Sequence, residues 1–450
     1  MPGPRYTSYP TADRFVEAFG PDDYRRALAA RASGAGTGGT AGLPLAIYLH
    51  VPFCESVCYY CACNKIVTRH HDRASDYLLA LDREVDLHVG ILGSRTRISQ
   101  LHLGGGSPTF LSDLQLARVV TTLRRAFTLE PGAELAIEVD PRTVDPARLE
   151  RLASLGFNRL SFGVQDFDPA VQRAVHRVQA YEQVALLLQA AKALGFRSTN
   201  VDLIHGLPLQ TPSSFSYTIA RIAKLRPDRI ALYGYAHLPE RFKPQRRIDA
   251  ATLPTAAQKI EMLGDAIAAL CGAGYEYIGM DHFALPHDPL AIARRQGRLH
   301  RNFQGYTEHP DGDLIGLGVS AIGRVGGCYS QNAKTLPEYY DALRQGRFAV
   351  ARGLAPTHDD LVRRGIVMAL MCQGELNYEA ISDAYLIDVR RAFATELAAL
   401  QPYVEDGLVV MEPDALWVTP IGWFFVRSIA MVFDRYLQAD SARALYSRVL

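Results

Sequence analysis

The sequence predicts an α/β protein, a partial (β/α)6 barrel followed by a mainly helical C-terminal domain. Three observations carry this. From Leu45 onward, short apolar segments alternate with helical patterns at a spacing that calls for parallel strands and right-handed crossovers. Polar residues collect at the C-terminal ends of those apolar segments, where open and closed barrels place their chemistry. From Thr357 the pattern becomes helical. A chain of 450 residues is long enough for one large domain and a smaller one.

In chain order, residues 1–42 read as an N-terminal arm and flexible linker. PRYTSYP (4–10) is too short for a core element and fits either an ordered arm or a disordered leader. The Gly/Ala/Thr run at 32–42 is linker-like, and the ordered domain is expected to begin after it. Residues 43–355 form the barrel with a substrate-site extension. Strands are expected at 45–51, 98–104, 134–140, 159–165, 198–206 and 229–235. Helices are expected at 74–92, 114–127, 146–155, 181–194 and 215–225. Six such units fall short of the eight of a closed barrel. After Leu238 come a basic, proline-bounded loop, a helix at 256–271 and a short strand near 275–280. HRNFQGYT (300–307) and GLGVSAIGRVGG follow, read as site-lining loop. Residues 356–450 form the helical domain, with helices at 361–372, 377–384, 389–400 and 421–437 and a hairpin at 407–419. That arrangement resembles a winged helix, read as packing or a lid.

The densest chemistry lies at the end of the first strand. Cys54, Cys58, Cys61 and Cys63 stand in CESVCYYCAC, while Cys271, Cys328 and Cys372 are scattered. A structural zinc site normally draws its ligands from two separated knuckles. One compact loop with unequal gaps better suits an iron–sulfur cluster, with zinc or redox thiols as the alternatives. Cys63, one residue beyond Cys61, has little freedom to reach a fourth corner and reads as a nearby thiol without a ligand role. The remaining strand ends carry Gly104-Gly105-Gly106, Glu138 and Asp140, Gln165 and Asp166, Asp202, and Tyr235-Ala236-His237. Glycines there let the backbone approach a ligand closely. GGGSPT lacks both dinucleotide and P-loop spacings.

Charge is balanced, 48 basic against 47 acidic residues for a net +1, so no global field favours nucleic acid or an anionic membrane. No apolar run approaches the length of a membrane span, and the first ten residues hold no signal-peptide core. The expectation is a cytoplasmic, monomeric protein that binds neither nucleic acid nor membrane.

C-x3-C-x2-C resembles the signature of the radical S-adenosylmethionine (SAM) enzymes, in which three thiolates hold a [4Fe–4S] cluster and SAM chelates the open iron. PRYTSYPTA, YLHVPFCESVCYYCACNK, LHLGGGSPT, EVDPR, LSFGVQDF, STNVDLIHGLP, YAHLP, GMDHFA, HRNFQGYT and GVSAIG together resemble the oxygen-independent coproporphyrinogen III oxidase family. The resemblance implies a radical-SAM barrel and the conversion of two propionates of coproporphyrinogen III to vinyl groups. It also implies an electron donor and an acceptor that it leaves unnamed. Position by position, it makes Cys54, Cys58 and Cys61 the cluster ligands. Tyr48, Gly105, Glu138 and Ile322 match positions around the cluster-bound SAM. Tyr60, Gly106, Ser107, Gln165, Arg177, Asp202 and Ala236 match positions around a second SAM, and His50, Cys63, Phe303 and Gln304 match positions implicated in activity. Two departures are mild: Tyr60 stands where Phe is common and Ser107 where Thr is usual. Arg177, Lys243, Arg246 and Arg247 are candidates for holding substrate carboxylates. The alternative reading is a haem-binding chaperone of the same barrel; such relatives typically lack the fourth cysteine and HRNFQGYT.

Overall fold

The computed structural model describes residues 3–35 and 42–439, and these divide into two compact units. One comprises residues 15–273 and 312–355; the other takes in the N-terminal 14 residues, residues 274–311 and the chain from 356. The break at 355/356 coincides with the expected one, but none falls at 42/43 and residues 274–311 join the smaller unit, because packing joins segments that sequence order separates. Of the expected linker, residues 36–41 lie outside the described residues, as does the end of the helical domain beyond 439.

The larger unit is built on six adjacent parallel strands, β1 (Leu45–Val51), β2 (Arg97–Gly105), β3 (Thr128–Val139), β4 (Arg159–Gln165), β5 (Ser198–His205) and β6 (Arg229–Gly234). Alternate residues of β1 (Leu45, Ile47, Leu49 and Val51) are wholly buried, which fixes its register. The crossovers are α2 (Arg73–Leu92), α3 (Asp113–Ala126), α4 (Pro146–Ser154), α5 (Tyr181–Ala193) and α6 (Pro212–Leu225), preceded in the chain by α1 (Pro21–Ala32). Their starts are written in the sequence. Ser112 and Gln115 cap α3 reciprocally, Asp145 caps α4 ahead of Pro146, and Thr211 with Ser214 caps α6 ahead of Pro212.

The other side of β1 departs from the sequence expectation. A further parallel strand, β7 (Leu314–Leu317), pairs there. It is followed by antiparallel β8 (Ile322–Val325), β9 (Cys328–Asn332) and β10 (Val350–Leu354). Order also begins earlier than expected. Phe15, Phe19, Tyr24 and Leu28 are buried ahead of the linker, the last two one helical turn apart on α1.

Helix α2 anchors the sheet behind the first strand end. The Tyr77 hydroxyl donates to the His50 carbonyl at 2.5 Å and accepts from the Val319 amide at 3.2 Å. Two turns on, buried Glu84 accepts from the Gly318 amide (2.7 Å), Asn332 (2.6 Å) and the Tyr339 hydroxyl (2.6 Å). Burial pushes its carboxyl up to about 7 despite those donors.

In the smaller unit, Tyr6 and Tyr9 are buried in a core with Ile366, Leu370, Trp423 and Phe433, so PRYTSYP is an ordered arm. HRNFQGYT forms a hairpin, His300–Asn302 with Gly305–Thr307, and Phe303-Gln304 make its turn. The expected hairpin near the C-terminus is present as Val409–Met411 and Ala415–Val418, joined by a third strand, Glu375–Asn377. Two expected helices are broken. The one at 389–400 divides at Phe393, which leaves helical geometry. The last divides before Asp434, whose carboxylate caps the final turn.

Candidate functional site

Within the larger unit the strand ends and the cysteine loop enclose a cavity of about 450 Å3. Cys54, Cys58, Cys61 and Cys63 all face it, all as free thiols. Opposite them stand Gly105, Gly106 and Ser107 from β2 and its loop, and Glu138 and Asp140 from β3. Gln165, Asp202, Tyr60 and Arg177 complete that side. Strand register explains the gathering: Glu138 pairs with Ser161, and Gly163 with Asp202.

Three carboxylates are held in two ways. Burial opposes the charge of Glu138, but a hydrogen bond and positive field from His102 (3.3 Å) and the Gly105 amide (3.1 Å) hold its carboxyl below the usual range. Asp140 is likewise buried and held low by Arg177 and Arg142. Asp202 goes the other way. Burial and then Glu138 push it up to about 6, against hydrogen bonds from Asn200 and Ser161.

The thiols sit in a cationic setting. Arg177 reaches the Cys58 sulfur at 3.5 Å and Arg142 reaches it at 3.8 Å, and both arginines grip Asp140. Lys65 donates to the carbonyls of Cys61 and Cys63. Burial and the neighbouring Cys61 and Cys58 push the Cys54 thiol up to about 12. The hydrogen bond between Cys61 and Cys63 lowers the first thiol and raises the second.

His50 stands at the end of β1. Its Nε2 lies 2.9 Å from the Asn64 carbonyl, which can only accept, so Nε2 carries the proton and Nδ1 accepts from the Tyr48 hydroxyl at 3.2 Å. Burial lowers its pKa and keeps the ring neutral.

Comparison with known proteins adds the family. The radical SAM superfamily profile matches residues 48–222, and the HemN C-terminal domain profile matches residues 357–425. The oxygen-independent coproporphyrinogen III oxidase of Pseudomonas aeruginosa is 47% identical over 452 residues, covering 100% of this chain and 96% of that protein. The Escherichia coli protein of the same name is 46% identical over 448 residues, with the same coverage. A solved structure described as coproporphyrinogen III oxidase from Escherichia coli, a radical SAM enzyme, matches with a TM-score of 0.91 and 46% identity, over 96% of this chain and 97% of that one.

The chain belongs to the oxygen-independent coproporphyrinogen III oxidase family.

As a radical SAM protein it takes a [4Fe–4S] cluster and SAM. The residues present fit both. Four free thiols line one cavity, a donor set that becomes stable as thiolates when iron balances their charge. Across the cavity, the backbone leaves room that a side chain would fill. A Cβ on Gly105 would lie 2.6 Å from the His50 ring, and one on Gly106 would lie 2.8 Å from the Pro52 and Phe53 backbone.

Not every residue expected from the oxidase family lines the cavity. Tyr48 and His50 connect to it through Gly105 and Glu138 rather than by lining it. Ile322 opens β8, its backbone against Gly316, the register partner of Tyr48. The Ala236 carbonyl accepts from Gln245, whose amide also donates to the Tyr60 carbonyl. Phe303 and Gln304 belong to the smaller unit. Among the proposed carboxylate holders, Lys243, Arg246 and Arg247 are exposed, and Arg177 is committed to Asp140 and Cys58.

Sequence reasoning left Arg142, Lys65 and His102 off the site. The signal for Arg142 was available in EVDPR, two positions after a strand-end aspartate. For His102, it was available in the alternation of LHLG along β2.

Proposed function

We propose that the chain catalyses the oxidative decarboxylation of two propionates of coproporphyrinogen III to vinyl groups, giving protoporphyrinogen IX in anaerobic haem biosynthesis. One observation carries the reading: near-full-length identity of 46–47% to proteins of that name, with the cysteine loop and the glycine cradle around one cavity. In each conversion the propionate gives up a hydrogen atom from its β-carbon, one electron to an acceptor, and carbon dioxide. When bound, the cluster and SAM supply the hydrogen-atom abstraction, which no side chain of the protein can perform.

The chain's own residues position and shield. Cys54, Cys58 and Cys61 would hold the cluster, with Arg177 and Arg142 placing positive charge at the Cys58 sulfur. Tyr48, Gly105, Glu138 and Ile322 are assigned to the cluster-bound SAM. Tyr60, Gly106, Ser107, Gln165, Arg177, Asp202 and Ala236 are assigned to a second one. His50, Cys63, Phe303 and Gln304 are assigned to turnover, and the neutral His50 ring buttresses Gly105. Tyr60, Gly105, Gly106, Ser107, Glu138, Gln165, Arg177 and Asp202 share the cavity with the thiols, which supports the assignment. The barrel with its extension, residues 43–355, would carry the chemistry, and residues 356–450 would form the mainly helical domain. The donor and acceptor of electrons are separate partners. The protein would work as a monomer in the cytoplasm. Among the described residues no helix is long and apolar enough to cross a membrane.

Anaerobic incubation of the reconstituted protein with coproporphyrinogen III, SAM and a strong reductant should yield a product lighter by two carbon dioxides, with 5′-deoxyadenosine. Deoxyadenosine without decarboxylation would assign another substrate, and tight haem binding with neither product would assign a chaperone. Cysteine substitution separates ligand from bystander. Alanine at Cys54, Cys58 or Cys61 should each reduce bound iron to background on reconstitution, whereas Cys63→Ala should retain it. Iron loss in Cys63→Ala would make it a ligand.

A further inference from the structure

The hairpin that carries Phe303 and Gln304 also carries Arg301, which is 5% exposed. Its Nε and Nη2 donate to the backbone carbonyl of Arg5 at 3.3 and 3.1 Å, and its guanidinium lies 4.6 Å over the Tyr306 ring. These contacts fix the plane of the guanidinium without supplying a carboxylate partner. Nη1 is shut off from solvent and has no hydrogen-bond partner among the described residues. The same holds for Nε2 of Gln304 in the adjoining turn. Two carboxylates of the same unit are taken: Asp281 pairs with Arg5 at 3.1 Å and Asp311 with Arg364 at 2.7 Å.

The surroundings are cationic. Burial, then Arg5, and more weakly Arg301 bring Arg427 down to about 10. Burial and then Arg301 bring His282 down to about 4 and keep it neutral. A guanidinium cannot shed its proton to escape such a place, so an oriented, unpaired N–H of this kind is stable only when an anion completes it. One charged donor and one amide donor suit a singly charged carboxylate.

We propose that Arg301, assisted by Gln304, is a carboxylate-binding subsite that takes a propionate of the substrate. The inference rests on the proposed function, and it replaces the exposed residues Lys243, Arg246 and Arg247 with a buried, preoriented group. Arg301 is here a substrate-binding residue that fixes which part of a tetracarboxylate is held.

The test is fluorescence titration of the reconstituted holoenzyme with coproporphyrin III, the unreactive oxidised tetracarboxylate, and with its tetramethyl ester. Wild type should prefer the acid. Arg301→Gln should weaken acid binding roughly tenfold to a hundredfold, the range for a hydrogen bond to a charged group, and leave the ester unchanged. Arg301→Lys keeps the charge but loses the bonds to Arg5, and should fall between. It also serves if Arg301→Gln fails to fold. Wild-type preference for the acid with no change in either variant overturns the subsite and leaves the oxidase reading intact. A wild type that neither discriminates acid from ester nor converts the porphyrinogen defeats the oxidase reading itself.

Discussion

Gly105→Ala is expected to keep its iron and to lose SAM cleavage by roughly a hundredfold or more, the scale set by ångström-level misplacement at a reacting centre. Gly105 has φ of 115°, a region that L side chains rarely adopt, and its Cβ would lie 2.6 Å from Cε1 and Nδ1 of His50. The ring has nowhere to move, being pinned by Tyr48 on one nitrogen and the Asn64 carbonyl on the other. The strain must therefore go into the β2 terminus, breaking the Gly105 amide bond to Glu138. None of the three thiols assigned to the cluster is touched, so iron content should survive. Iron analysis together with 5′-deoxyadenosine release under dithionite reads the two effects apart. Gly90→Ala is the control: it meets open space on α2 and should stabilise by about 0.5–1 kcal/mol. Wild-type SAM cleavage in Gly105→Ala would remove the close approach from the account.

Glu84→Ala should cost stability by about 3–5 kcal/mol, since each buried donor left unsatisfied costs about 1–3 kcal/mol. It strands the Gly318 amide, the Asn332 amide and the Tyr339 hydroxyl at once. Glu84→Gln is milder and carries a pH signature. A free Glu titrates near 4.5 and this one at about 7, so between those values the native state holds a proton that the unfolded chain has released. Stability of wild type relative to Glu84→Gln should therefore fall as pH rises through that window, by up to ~1.4 kcal/mol per unit, and level off above it. Thermal unfolding of both proteins at pH 5, 6, 7 and 8 measures the difference. A flat or rising difference would falsify the assignment of a raised pKa to Glu84.

Much of this was legible in the residues because the signals were local. Strand β1 announces itself by alternation and ends in its cysteines, and β4 matched the expected span residue for residue. Gly105 and Glu138 were found because strand ends in this architecture point at ligands. What escaped reading depended on distant partners. Leu314–Leu317 is a short strand in a glycine-rich run, and it becomes a strand by pairing with β1 across the unit. Helix α1 carried the signals of Pro21, two first-turn aspartates and Tyr24 with Leu28, but sits beside a linker-like run that dominates the local composition. Arg142 looks like any loop arginine until Asp140, Arg177 and Cys58 converge on it. Residues 300–307 read as a site-lining loop, but a role for Phe303 and Gln304 came only through family resemblance, since nothing in an aromatic-amide pair specifies chemistry.

The ordered arm bears on how the chain is made. Tyr6 donates to Asp434 across 428 positions, and the Tyr9 hydroxyl accepts from the Arg435 amide across 426. On the ribosome these two tyrosines emerge 428 and 426 residues ahead of the groups that satisfy them. Throughout elongation the arm must therefore wait with its aromatic rings uncovered, a span in which a chaperone can hold it or a protease can cut it. The smaller unit cannot close in instalments. Its completion waits for Asp434 and Arg435, whereas the six parallel strands of the larger unit have all emerged once Gly234 has left the exit tunnel.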